Sequence, residues 1–314
     1  MQNLILIFNM VAPVFLIVAA GYLLKKLGII NDNFIAVSSK VVFTIAIPSL
    51  MFSEISTINF NEVFNVNLII FVYLLTITTF VLSWLFAIPF IKNTKDKGAF
   101  IQGSFRGNFA IVGLALILNA FGEGSIAKGS IVLAFTIPLY NVLAVLVLSY
   151  FSQENKKTDI RETLVNIVTN PLIIAIIIAL PFSYLKIKLH PAVSDAINYI
   201  ADLTLPLALL SIGGFLDFTE IKNTSSAALL STILKIVLFP LTGTFAAYLA
   251  GYRNDDLGIM FILFGCPTAI ASFIMAEAMG SNSRLAGNIV LLTTLGSIIT
   301  ISLGLFILKE NGLI

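Results

Sequence analysis

Few side chains in this sequence can do polar chemistry at depth, and they gather in two places. Arg106-Gly107-Asn108-Phe109-Ala110-Ile111-Val112-Gly113 sets a guanidinium and a side-chain amide among three small residues (Gly107, Ala110, Gly113), within an apolar run long enough to cross a bilayer. An unpaired arginine at a helix centre in hydrocarbon costs about 2.5–3.5 kcal/mol on insertion scales, so it needs a reason to be there. Gly265-Cys266-Pro267-Thr268-Ala269 holds the matching place in the other half of the chain. Pro267 removes a backbone donor and clashes with the preceding turn. Gly107 and Gly265 loosen the helix ahead of each break. Non-helical backbone at this depth persists only where it is buried in protein or lines a wet cavity. Half-helices starting near Phe109–Ala110 and Thr268–Ala269 would aim free N–H groups and positive dipole ends at the midplane, which is the chemistry for holding an anion.

Each residue carries a functional reading and a plainer one. The Asn108 amide donates to a substrate carboxylate or satisfies its own broken helix; Phe109 follows it at the break. Arg106 lies eight residues past Gly98, about 12 Å along a helix. Three roles stay open for it: a fork for a carboxylate, a snorkel to the cytoplasmic headgroups, or a partner for a neighbouring helix end. Pro267 and Thr268 shape the second break, or merely kink a helix; Cys266 reads as a small apolar filler beside it. Tyr140 and Asn141 line the cavity or hold two helices together. Lys235 balances charge with a partner, or reaches the interface through a kink. Glu277 and Asp202 could relay protons, as intramembrane acids do, or are an interfacial glutamate and a helix-end aspartate. No Asp or Glu falls in either break, so dedicated carboxylate ligation of Na⁺ there is not expected, although Asn, Thr and backbone oxygens also coordinate such ions.

Composition says what kind of protein must hold these residues. The 314 residues are 58% hydrophobic and 11% charged, with a mean hydropathy of +1.02, whereas soluble domains carry about 25% charge. This is a polytopic membrane protein. A net charge of +2 gives no reason to invoke nucleic acid. One cysteine excludes a disulfide framework or multi-cysteine metal site, and one histidine, His190, excludes a His-based metal centre. No metal or other cofactor is expected. There is no HExxH, no paired Gly-Asp motif and no Ser/His pair at depth, so an intramembrane enzyme is not expected either. The first apolar segment starts at Leu4 without a basic flank or cleavage site and reads as a retained helix, not a signal peptide. No polar stretch is long enough to fold as a soluble domain.

About 20 apolar residues span the hydrocarbon. On that ruler the chain is all-α with ten segments, roughly 4–24, 35–53, 67–91, 98–121, 126–151, 163–184, 192–215, 226–250, 257–280 and 285–308. Lys and Arg number ten in the odd-numbered loops against five in the even-numbered loops and C-terminal tail, which puts the odd loops in the cytoplasm and both termini outside. Sliding the chain on itself by 158 positions superposes Pro13 on Pro171, Pro48 on Pro206, Gly122 on Gly280 and Gly129 on Gly287. The same shift sets Asn108 on Cys266 and Phe109 on Pro267. Five segments per half is an odd number, so the halves lie in opposite orientations. That is a 5+5 inverted repeat, with one half at 1–151, a cytoplasmic linker at 152–162 and the other half at 163–314, the plan of many secondary transporters.

At these residues the chain resembles the auxin efflux carrier family, which includes bacterial malate and malonate permeases. The likeness runs end to end, through Ile47-Pro48-Ser49-Leu50-Met51-Phe52, Arg106-Gly107-Asn108 with Ile111-Val112-Gly113-Leu114, and Pro138-Leu139-Tyr140-Asn141. It continues through Asn170-Pro171-Leu172, Leu205-Pro206-Leu207 with Ile212-Gly213, and Cys266-Pro267-Thr268-Ala269 to Thr293-Thr294-Leu295-Gly296-Ser297. Many relatives have a Gly-Leu-Pro-type sequence after the first break; here Ala115 follows Gly113-Leu114, so Gly107 and Asn108 must make that break without proline. The resemblance implies a fold like the sodium/proton antiporters and bile-acid symporters. Segments 1, 2, 6 and 7 would form a dimerising scaffold. Segments 3–5 and 8–10 would form a mobile domain whose crossed helices 4 and 9 hold the substrate and move like an elevator. It further implies organic-anion cargo, such as malate, malonate or an auxin-like acid; the short loops suggest a prokaryotic plasma (inner) membrane location. A negative-inside potential favours anion exit by about 2.3 kcal/mol per charge per 100 mV, so coupling is optional. A Na⁺- or H⁺-coupled importer on the same fold and a non-transporting ligand sensor are the alternatives; the repeat argues against a passive channel.

Overall fold

The structure, a computed structural model, describes residues 2–57, 64–151, 169, 171–216 and 225–314. The linker 152–162, the first part of segment 163–184 with Asn170, and Lys222 lie outside the described residues.

In chain order the helices are α1 (Gln2–Lys26), α2 (Asp32–Thr57), α3 (Val66–Phe90), α4 (Thr94–Phe105), α5 (Phe109–Phe121), α6 (Glu123–Phe151), α7 (Pro171–Leu185), α8 (Pro191–Phe215, with a turn at Leu203), α9 (Ser226–Leu249), α10 (Asn254–Gly265), α11 (Ala271–Ala278) and α12 (Ser283–Glu310). The only β-pairing among the described residues is an isolated bridge. Six helices among the described residues, α2, α3, α6 (counted from Gly124), α8, α9 and α12, are long and apolar enough to cross a membrane. The protein is therefore a nearly all-helical, multi-pass membrane protein.

Loop polarity starts the helices. Asn31, Asn65, Asn93 and Asn282 each accept a backbone N–H from the first turn that follows, which satisfies donors that the helix itself cannot. Along α3 the outward face is Ile70, Leu74, Ile77, Val81, Leu85 and Ile88, while Thr76, Thr79 and Ser83 point inward. This distribution suits a lipid solvent. The buried hydroxyls of Thr79, Ser83 and Thr136 turn back onto carbonyls three or four residues earlier, so they carry no unsatisfied donor into the core.

Small residues decide where backbones touch. A Cβ on Gly213 would sit 1.8 Å from the Val18 carbonyl oxygen, and one on Gly21 2.2 Å from that of Leu210. Thus α1 and α8 pack main chain to main chain, an approach open only to glycine. The broken helices are fastened at both ends. Ser281 Oγ donates to the Lys95 carbonyl (2.7 Å) and Asn282 Nδ2 to Asp96 (2.8 Å) at one end. At the other, Ser125 Oγ donates to Asp255 (2.6 Å) and Lys128 pairs with Asp256 (2.7 Å).

Among the described residues three π-helical turns interrupt the helices, at Val42–Ala46 in α2, Phe109–Gly113 in α5 and Leu234–Leu238 in α9. Such turns insert an extra residue and recur at functional sites. Here the first two line cavities and the third carries Lys235.

Candidate functional site

The site is built where two helices stop. α4 ends at Phe105 and the chain turns extended at Arg106 (φ −83°, ψ 110°); α10 ends at Gly265 and Cys266 does the same (φ −54°, ψ 144°). The two stretches lie antiparallel. The Asn108 N–H donates to the Pro267 carbonyl (2.7 Å) and the Ala269 N–H to the Arg106 carbonyl (3.2 Å), which flank the Gly107–Thr268 bridge. Each break thus supplies the partners that the other lost. α11 begins at Ala271, two residues beyond Ala269, whose carbonyl accepts the Ser272 N–H at the helix start (2.9 Å).

Other orphaned groups are met by side chains. Thr268 donates through Oγ1 to the Gly103 carbonyl (2.6 Å), and its N–H is taken by Thr293 Oγ1 (3.0 Å). Lys235, buried to 1% exposure, donates its ammonium to the Phe264 carbonyl (2.7 Å) in the last turn of α10. A cation at a helix C-terminus also offsets the negative end of the dipole. The N–H groups of Asn108, Thr268 and Ala269 are spent on protein. The π-turn opening at Phe109 leaves its first N–H groups without an intrahelical acceptor.

A cavity of about 260 Å³ opens on the first break, lined among others by Arg106, Asn108, Phe109, Tyr140 and Asn141. Arg106 is buried. It donates to Asn141 Oδ1 (2.8 Å) and to Met275 Sδ (2.7 Å), and a thioether is a weak acceptor. Neither ion pair found among the described residues, Lys25–Asp32 or Lys128–Asp256, involves it. Among the described residues the buried Tyr140 hydroxyl makes no hydrogen bond of good geometry and has only the Gly107 backbone close by, and the Asn108 side chain caps nothing at its own helix start. Phe109 stacks over Gly113, where a Cβ would meet its ring at 2.3 Å. A second cavity of about 550 Å³ adjoins, between the α2 π-turn, α8 and the start of α11, and shares Phe43, Thr44, Asn108, Ala269 and Ala271 with the first.

The sequence-derived residues therefore divide. Arg106, Gly107, Asn108, Phe109, Tyr140 and Asn141 line the smaller cavity. Cys266, Pro267, Thr268 and Lys235 line neither of the two and build the crossing behind it. Asp202, at the end of the first part of α8, and Glu277, on α11, are exposed and line neither. Sequence reasoning did not find Phe43, Thr44, Met275 or Thr293. Phe43 and Met275 carry no signal in an apolar run. Thr293 enters only in the stretch Thr293–Ser297 that carries the family resemblance, not as the acceptor of a backbone donor.

Interrupted helices that exchange backbone bonds beside a guanidinium without a carboxylate define a class: membrane proteins that keep a polar site where two broken helices cross. Comparison with known proteins gives the family. A family model described as "Membrane transport protein" matches residues 6–305, and the chain belongs to that family, the one that holds the auxin efflux carriers. It is 23% identical over 302 residues to an "Uncharacterized transporter" of Methanocaldococcus jannaschii, covering 94% of this chain and 96% of that one. It is 22% identical over 304 residues to the "Uncharacterized transporter YfdV" of Escherichia coli K12, covering 94% and 95%. It is 23% identical over 312 residues to a Rhizobium meliloti protein named "Putative malonate transporter", covering 98% and 97%. The protein is a membrane transporter.

Proposed function

We propose that this transporter is a secondary carrier of small organic anions that binds a carboxylate at the crossing of its broken helices. One observation carries the reading: Arg106 faces a cavity of about 260 Å³ with only an amide and a thioether as side-chain partners among the described residues. A buried cation is held by a counter-ion or is costly. An incoming carboxylate supplies the counter-ion and takes both prongs of the fork. Asn108 and the Tyr140 hydroxyl, each with unused capacity, complete the shell. The relative named for malonate agrees with a small acid as cargo.

The wider reading has ten spans in a 5+5 inverted repeat, a scaffold of segments 1, 2, 6 and 7, and a transport domain of the rest. It has homodimers moving as elevators in the plasma membrane, with both termini outside. Two features support the scaffold and the repeat. The glycine-mediated α1–α8 contact holds segments 1 and 7 as one body. The clasps at 95–96 with 281–282 and at 125–128 with 255–256 become near-equivalents when the 158-residue offset exchanges the halves.

Charge movement on proteoliposomes adsorbed to a solid support tests the function. A panel of mono- and dicarboxylates is applied with and without Na⁺ and across pH. Currents from one acid without Na⁺ establish an anion uniporter. Currents that need a cation gradient make it a coupled importer. Neither current nor tracer exchange with any acid overturns the carrier reading.

A further inference from the structure

The site described above belongs to the two breaks, yet one wall of it comes from elsewhere. Five of the described residues line both cavities: Phe43, Thr44, Asn108, Ala269 and Ala271. Four of these side chains are small. Phe43 is the one bulky group among them, and it stands on α2, opposite the crossing. It is 38% exposed, within the exposed run Phe43–Ile45, so its ring has room on at least one side. Its local backbone is the π-turn Val42–Ala46, flanked by the fully buried Val42 and Ala46. The extra residue of that turn sets which face of α2 the ring leaves by.

The two cavities differ in character. The smaller holds Arg106, Asn108, Tyr140 and Asn141. The larger is walled mainly by apolar side chains, including Ile111, Ile212, Phe215 and Ile274, with Lys40 and Asp32 also on its lining. A carboxylate held at Arg106 must send the rest of its molecule past the shared residues to use that second space. We infer that Phe43 is the partition between the two chambers and sets how large a substrate the carboxylate site admits. The inference rests on the carrier reading above and adds to it a specificity-determining residue from outside the breaks. Thr44 does not share this role, since its hydroxyl is engaged by the Lys40 carbonyl (2.7 Å) and its side chain is short.

The experiment measures binding of malonate and of phenylacetate to purified wild type, Phe43→Ala and Phe43→Trp by isothermal titration. Folding is checked in each case by size-exclusion and thermal unfolding. Opening the partition should raise the affinity ratio of phenylacetate to malonate in Phe43→Ala by about tenfold or more, the lower end of what one methylene is worth in an apolar pocket. Phe43→Trp should lower the same ratio. Should Phe43→Ala not fold, the Trp variant and Phe43→Leu give the same ordering. Unchanged ratios in folded variants that still bind malonate overturn the partition and leave the carrier reading standing. Failure of the wild type to bind any acid of the panel overturns that reading, and the partition falls with it.

Discussion

The Asn108 N–H donates to the Pro267 carbonyl across 2.7 Å. This bond joins the residue that fronts the cavity to the residue that breaks the other helix, so neither break can shift alone. A substitution that spreads the two stretches should therefore disturb anion binding from a distance. Gly107 is the sensitive place. A Cβ there would lie 3.1 Å from the Leu263 carbonyl oxygen and 3.2 Å from the Lys235 ammonium, whereas one on Gly265 meets nothing closer than 3.7 Å. Gly107→Ala should lower stability by about 1–3 kcal/mol, the usual range for overpacking. Gly265→Ala, within a helix end, should stay within about 1 kcal/mol of wild type. Thermal unfolding of the two variants in detergent, read side by side, checks the contrast; equal shifts would refute it.

That contrast also marks how far the sequence could be read. Gly107 and Gly265 look alike as letters, each just ahead of its break, and only the packing separates them. Apolar run length placed these helices closely: segment 67–91 corresponds to Val66–Phe90 and segment 285–308 to Ser283–Glu310. Arginine and asparagine in an apolar run, and proline in another, located both interruptions. The π-turns were not legible, because an extra residue per turn leaves hydropathy unchanged. The ammonium of Lys235 on Phe264 was not legible either, since it depends on a neighbour 29 positions away along the chain.

Lys235 should then be a structural cation, not a passenger. Lys235→Met keeps most of the volume but leaves the Phe264 carbonyl unpaired in a buried site, a loss of about 1–3 kcal/mol. The melting temperature should fall accordingly, and addition of an organic acid should restore little of it. A variant as stable as wild type would mean that water or another group replaces the ammonium.

Arg106 and Asn108 should separate binding from folding. Arg106→Gln removes the charge facing the cavity, and truncating a buried charged partner typically costs about 2–5 kcal/mol, so malonate affinity should drop roughly 30-fold or more. Arg106→Lys keeps the charge but loses the fork and should fall between the two. Asn108→Ala should abolish anion binding while folding persists, because the bond to Pro267 comes from its backbone. Titration calorimetry on each variant reads these effects; wild-type affinity in Asn108→Ala would remove that side chain from the site.

Orientation can be tested with a probe that the sequence nearly provides. Cys266 is the single cysteine and is fully buried, so Cys266→Ala gives a silent background at the cost of one sulfur. Lys92 and Lys186 are both exposed and flank helices in loops of opposite predicted sidedness. If the excess of basic residues in the odd loops sets the topology, Lys92→Cys should react with an impermeant maleimide only in inside-out vesicles. Lys186→Cys should react only in right-side-out ones. The opposite pattern would turn the whole molecule over and place both termini in the cytoplasm. Reaction of both from one side would mean that the number of crossings between them is even, which an inverted 5+5 arrangement does not allow.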